Sequence, residues 1–275
     1  MSQFYGWRQT GPHIAFASSL IAGSYILALY SDSQKKVRKL RPAYFMTPYS
    51  NRVQYRQAID SPFDWAKNVW STSRDSQKTI YALTASNILV FLAWRVPVFS
   101  DLMVKYFLHS INSTPLSMLG SVFSHRSALH LGFNMLALNS FGTFLHEKMG
   151  REQFLAFYMS AGTASSLTSH LYKSFSRNYT PSLGASGAIF GIVGASAHFP
   201  ELKVSLIFLP IHSIPISQAL PAMIGIDALG LLRGWKSFDH AAHLGGTCFG
   251  YSFYKISQDK IWKNRRNIQK KLGMI

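Results

Sequence analysis

From residue 178 to residue 200 the chain carries no Asp, Glu, Lys or Arg, and this run holds Pro181-Ser182-Leu183-Gly184-Ala185-Ser186-Gly187-Ala188. Glycines then recur at 187, 191 and 194, a helical spacing that lets a second helix come close. A helix over residues 184–199 would be about 24 Å long, whereas a bilayer core of about 30 Å needs roughly 20 residues. Such a helix starts below the membrane surface. Its first backbone groups must then line protein or a wet cavity, because lipid offers them no hydrogen bonds. Two uses fit Ser186 at that start: a reactive hydroxyl in a water-accessible pocket, or a small residue packed at a helix crossing.

The rest of the composition points to the same environment. Charged residues are 14% of the 275, well under the roughly 25% of a soluble domain. The formal charge is +17, but the basic residues gather in two blocks beside apolar runs. That pattern fits a lipid surface and topology signals rather than nucleic acid. The single cysteine, Cys248, excludes an intrachain disulfide and a zinc-type cysteine site.

Read in order, the sequence predicts an all-α membrane protein of seven spans: a six-helix core preceded by one extra transmembrane helix. Residues 1–31 are a polar tail and the extra helix, over 13–30, which is long for a signal-peptide core and has no clear cleavage site. The first dozen residues lack the amphipathic character of a mitochondrial presequence. Residues 32–78 form a basic linker with Lys35, Lys36, Arg38, Lys39, Arg41, Arg52 and Arg56, and a short interfacial helix fits around Phe63, Trp65 and Trp70. The core covers 79–254, with spans expected at 79–94, 127–146, 153–172, 184–199, 217–232 and 240–254. Residues 98–126 are expected to be a long apolar loop in the membrane interface. Pro210 and Pro215 leave 204–216 ambiguous. Residues 255–275 are a basic tail. Seven spans put linker and tail on one side, which the charge rule makes the cytoplasm-like side.

Three polar groups stand out within the spans. His130 and Asn134 are four apart and project from one helix face, where each could donate to a developing oxyanion or bond a neighbouring helix. His243, Gly246 and Gly250 also share a face, which lets a backbone approach while presenting an imidazole. A neutral imidazole is what a serine hydroxyl needs as general base. Metal chemistry competes through His240 with His243 and His125 with His130. No carboxylate sits in a ligand pattern beside them in sequence, and no His-Glu-x-x-His occurs. Gly-x-Ser-Gly does not fit the α/β-hydrolase elbow, which also needs a preceding strand. Asp227 reads as a buried hydrogen-bonding residue, since nothing in the sequence sets it beside His243.

Together, Gly184-Ala185-Ser186-Gly187, the stretch His130-Leu131-Gly132-Phe133-Asn134, and Ala242-His243-Leu244-Gly245-Gly246 with Gly250 resemble the signature set of the rhomboid intramembrane serine proteases. The likeness covers residues 80–262. The extra first span, Phe208-Leu209-Pro210, the stretch from Trp235 to His243, and Ile261-Trp262-Lys263-Asn264-Arg265 are similar to the mitochondrial branch of that family. The resemblance implies a Ser-His dyad, with Ser186 as nucleophile and His243 as base and then acid. It also implies an oxyanion site from His130, Asn134 and the Ser186 backbone N–H, supported by Gly184, Gly187, Phe190, Gly246 and Gly250. His125 matches a family histidine in a structural role. Phe190 stands where many members carry Tyr, and the Trp-Arg pair of bacterial members is absent between Val98 and Ser124.

The resemblance further implies a multi-pass protein of the mitochondrial inner membrane that cuts single-span membrane proteins near the bilayer surface. For the mitochondrial branch these include a dynamin-like GTPase and a quality-control kinase. It calls for no cofactor, no metal and no nucleic acid. A different class of function is an inactive rhomboid-like protein that binds or escorts membrane helices. Dead relatives usually lack the serine or the histidine, and this chain keeps both. A transporter is a weaker third reading, since no inverted repeat or paired broken helices appear.

Overall fold

A computed structural model describes the backbone of residues 2–40, 61–206 and 209–275 and the side chains of 10–35, 61–205 and 213–275. The linker basics from Lys36 to Arg56 lie outside the described side chains. Helix α1 runs over Ser2–Leu40, longer than the expected first span. It lies along α8, Arg151–Ser176, where Tyr25 and Ala28 bury against Ala156 and Ser24 Oγ meets Ser160 Oγ at 3.0 Å. Helix α2, Pro62–Thr72, starts at Ser61, whose hydroxyl accepts from the Asp64 N–H at 3.1 Å, with proline at the first helical position. It buries no side chain, and Phe63, Trp65 and Trp70 are exposed.

Helix α3 covers Asp75–Ala93. The segment expected to be an interfacial loop is instead largely helical: a 3-10 turn at Pro97–Phe99, α4 at Ser100–Phe107, α5 at Ser117–Gly120 and a 3-10 turn at Ser121–Phe123. Each piece is too short to show a helical period in sequence, and the chain bends by 101° between α3 and the Pro97–Phe107 stretch. The expected third span forms as α6, Ala128–Ala137, a π-turn at Leu138–Gly142, and α7, Thr143–Met149. Gly150, at φ +83°, turns the chain into α8.

Helix α9 is Ser186–Ser196, shorter than the 184–199 helix expected. The ambiguous stretch is a two-stranded antiparallel hairpin, so the chain is not purely helical. Strand β1, Lys203–Leu206, pairs with β2, Leu209–Pro215, in the register Val204 to Ile214, with an irregularity after Ser205. Helices α10, Ile216–Arg233, and α11, His240–Ile256, follow. The basic tail is folded: a π-turn at Ser257–Trp262 leads to α12, Arg265–Lys271, which docks on α1. There Gln269 Nε2 donates to the Leu29 carbonyl at 2.8 Å.

The centre is a core of Ile80, Leu138, Leu145, Phe154, Phe157 and Ile192, with α8, α9 and α11 packed together. Helices α9 and α11 touch backbone to backbone. A Cβ on Gly246 would overlap the Gly187 carbonyl, and one on Gly250 the Gly191 backbone. Polar side chains such as Asn87, Gln153 and Thr163 are fully buried, while Leu129, Phe133 and Leu136 form an exposed stripe on α6. At one end of the bundle Lys35 pairs with Glu152, Arg151 with Asp75, Arg74 with Glu147 at 2.7 Å, and Arg265 with Asp32 at 3.4 Å. The described end of α1, the start of α3 and α12 therefore share this charged end.

Among the described residues one helix, at Thr10–Lys35, is long and apolar enough to cross a membrane unaided, or two if the bent pair of α3 and Pro97–Phe107 is one span. The seven expected spans do not each meet that test: α9 is apolar but only 11 residues long, and the third span is broken by a π-turn at Leu138–Gly142.

Candidate active site

Ser186 sits at the first turn of α9 because the loop before it is held from two sides. Gly184 has φ +136°, a conformation that favours glycine, and a Cβ there would stand 2.9 Å from His130 Cε1. Its N–H donates to the Ser121 carbonyl at 2.9 Å, and the Ala185 N–H points at His125 Nε2 at 3.4 Å. His125 thus braces the loop. The glycine crossing of α9 and α11 then brings Ser186 Oγ to 3.1 Å from His243 Nε2. Phe190, one turn along α9, stacks on the His243 ring at 4.1 Å between centroids and 5° between planes. His243 is buried, while Ser186 is partly open.

His130 lies against Gly184, beside the loop that leads to Ser186, with its ring 5.0 Å from that of His125. Asn134, one turn on, spends one amide N–H on the His130 carbonyl at 2.7 Å. A second N–H remains on that amide. A cavity of about 20 Å³, lined in part by Ser165, Gly184, Ser186 and Asp239, adjoins the serine and is the size of one water molecule.

Two features were missed in the sequence. The first is Asp227 on α10. Its Oδ1 is 3.1 Å from His243 Nδ1 and 2.6 Å from His240 Nδ1. A carboxylate oxygen accepts, so His243 Nδ1 carries the proton and a neutral ring turns its Nε2 lone pair to the serine. Asp227 is the buried hydrogen-bonding residue expected, and the structure adds that His243 is one of its partners: the turn between α10 and α11 folds the carboxylate under both rings. Ser186 Oγ, the His243 ring and Asp227 Oδ1 thus form one hydrogen-bonded row. A single carboxylate inside an apolar run, costly without a partner, was the available signal. The same fold also corrects the view that no carboxylate accompanies His240 and His243. One ligand atom from each of Asp227, His240 and His243 lies within 4.8 Å of the others. Both imidazoles spend their Nδ1 protons on one oxygen, so hydrogen bonding already accounts for this grouping.

The second is Asp239, which caps α11 by accepting from the Ala242 N–H at 3.1 Å. Its Oδ2 lies 2.7 Å from Lys173 Nζ and 2.5 Å from Ser182 Oγ, and Ser169 Oγ also donates to it. Burial raises its pKa, but the Lys173 charge and the hydrogen bonds from Lys173, Ser182 and Ser169 outweigh that and hold the carboxyl at about 2. This cluster ties α8, the loop before Ser186 and the start of α11 together.

The family profile for the rhomboid domain matches residues 112–258, which include Ser186, His243, His130 and Asn134. The chain belongs to the rhomboid family. It is 43% identical over 204 residues to the presenilin-associated rhomboid-like protein, mitochondrial, of Rattus norvegicus, covering 73% of this chain and 54% of that protein. It is 39% identical over 197 residues to Rhomboid protein 1, mitochondrial, of Saccharomyces cerevisiae, covering 69% and 56%. A bacterial rhomboid, Rhomboid protease GluP of Bacillus subtilis, is 35% identical over 127 residues, 46% of this chain and 23% of that one. The chain spans about half the length of the mitochondrial rhomboid relatives it matches.

Proposed function

We propose that the chain is an intramembrane serine endopeptidase that hydrolyses peptide bonds in or near the transmembrane helices of single-span proteins. The 3.1 Å contact between Ser186 Oγ and His243 Nε2, in a fold that buries many polar side chains beside its apolar core and leaves apolar side chains exposed, carries this reading. Ser186 Oγ attacks the scissile carbonyl as His243 Nε2 takes its proton. The tetrahedral oxyanion is received by the Ser186 backbone N–H at the start of α9, by the His130 ring and by the spare Asn134 N–H. His243 returns the proton to the leaving amine, giving an acyl-serine. Water, deprotonated by His243, then releases the acid and restores the serine. Asp227 holds the His243 tautomer throughout, and Phe190 holds the ring plane.

The exposed apolar faces of α3, α6 and α10 support a lipid setting, and seven spans are part of the proposal. Because similar rhomboids are named mitochondrial, we place this protein in the mitochondrial inner membrane, with substrates of the dynamin-like GTPase and quality-control kinase classes. The test is a serine-directed fluorophosphonate probe together with a single-span reporter substrate. The intact chain labels and cleaves; Ser186→Ala does neither. Equal labelling of both would leave the alternative of an inactive protein that escorts membrane helices.

A further inference from the structure

Ser186 and His243 stand at the first turns of α9 and α11; a separate cleft of about 460 Å³ opens at the far ends of the same two helices. Its volume lies within the range of small-molecule sites. One wall is His198, just past the end of α9, and the rest is the outer face of α11 and of the π-turn that follows it. The last span expected from the sequence ends at residue 254. In the lipid setting proposed above, the cleft therefore lies at headgroup depth.

Two lysines give the cleft its charge. Lys255 and Lys260 are five residues apart, a spacing that an unbroken α-helix puts on different faces. The π-turn at Ser257–Trp262 widens the helix at that point, and both side chains line the cleft. Such turns interrupt the ordinary hydrogen-bond ladder and recur at functional sites. Asp259 also lines the cleft, but its Oδ1 meets Lys263 Nζ at 2.6 Å. Its charge is thus balanced by Lys263, and Lys255 and Lys260 remain to attract an anion.

Beside the lysines the lining turns apolar. Tyr251 and Ile256 are 51% and 53% exposed, and the exposed Cys248 continues the Tyr251 face one turn earlier on α11. His198 stacks on Tyr251 with centroids 4.7 Å apart and 17° between planes, and its Nε2 donates to the Tyr251 carbonyl at 2.8 Å, which fixes that wall. Two cations at the bilayer boundary, with an apolar strip leading inward from them, match the two halves of a phospholipid.

We propose that this cleft holds a phospholipid of net negative headgroup, its phosphate between Lys255 and Lys260 and an acyl chain along Tyr251 and Cys248. The proposal rests on the lipid setting of the function proposed above and not on the chemistry of Ser186.

The test uses the full chain in detergent, phosphatidylglycerol as the acidic probe, phosphatidylcholine as the zwitterionic one, and native mass spectrometry to count bound lipid. The wild type is expected to hold phosphatidylglycerol at least about five-fold more tightly than phosphatidylcholine. Lys255→Gln combined with Lys260→Gln is expected to weaken phosphatidylglycerol by at least about ten-fold. Lys270→Gln combined with Lys271→Gln removes the same charge from exposed positions outside the cleft and should leave binding within about two-fold. All four lysines are exposed, so Tm should not move in either variant. Inorganic phosphate in excess should not displace the lipid, because it lacks the chain. Equal binding of the two lipids, unchanged binding in the Lys255/Lys260 variant, an equal loss in both double variants, or displacement by inorganic phosphate overturns the proposal. Fluorophosphonate labelling on the same samples separates the two readings. Labelled protein that fails to select the acidic lipid sinks the cleft alone; lipid-selective protein that does not label sinks the protease alone.

Discussion

His243 Nδ1 and Asp227 Oδ1 are 3.1 Å apart, on the side of the imidazole that faces away from Ser186. The same oxygen also holds His240 at 2.6 Å, so one carboxylate orients the His243 ring and anchors a second one. Asp227→Asn, which offers an amide donor as well as an acceptor, is expected to lower kcat by about 10²-fold or more with KM little changed. His240→Gln, which leaves the Asp227–His243 contact in place, is expected to lower Tm far more than kcat. The check is reporter cleavage across pH beside thermal unfolding. An Asp227→Asn enzyme within about two-fold of wild type would reduce Asp227 to a support for His240.

Gly250→Ala is expected to abolish cleavage. The added methyl meets the Gly191 backbone, which cannot rotate aside, so α9 and α11 must part and carry Ser186 from His243. Overpacking of this kind costs about 1–3 kcal/mol or more. Fluorophosphonate labelling and Tm, read together, should fall in step.

Asp239 supplies a pH dependence of stability. Its folded pKa of about 2 lies below the unfolded value, so its contribution is complete above about pH 4 and is lost as pH falls through about 2. Asp239→Asn is expected to flatten that acid limb of the unfolding curve. It should also lower stability at neutral pH by about 3 kcal/mol, since Lys173 is left charged and buried. Thermal unfolding of both proteins between pH 2 and pH 7 checks this.

Gln269→Ala is expected to lower stability by about 1–2 kcal/mol, because it leaves the Leu29 carbonyl without its buried donor. Cleavage per folded molecule should not change, as this contact belongs to the charged end of the bundle rather than to the Ser186 pocket. Tm and kcat measured side by side distinguish this from a catalytic role.

The serine loop and the His243 helix could be read from the sequence because glycines at 187, 191, 246 and 250 repeat at helical spacing, and only a close crossing uses that pattern. Asp227 could not be paired, because its partner is set by the turn between α10 and α11, where sequence separation carries no distance. The helices within 97–123 escaped notice since pieces of three to eight residues show no period. Lys and Arg made residues 265–271 look like a solvated tail. Its one buried polar side chain, Gln269, is what docks it.

The hydrogen bond from Gln269 to Leu29 joins positions 240 residues apart. A ribosome at work on this protein must make almost the whole core before that donor exists. Until then the carbonyl on the opening helix waits unlatched, and assembly of the bundle can finish only after translation has passed its closing helix.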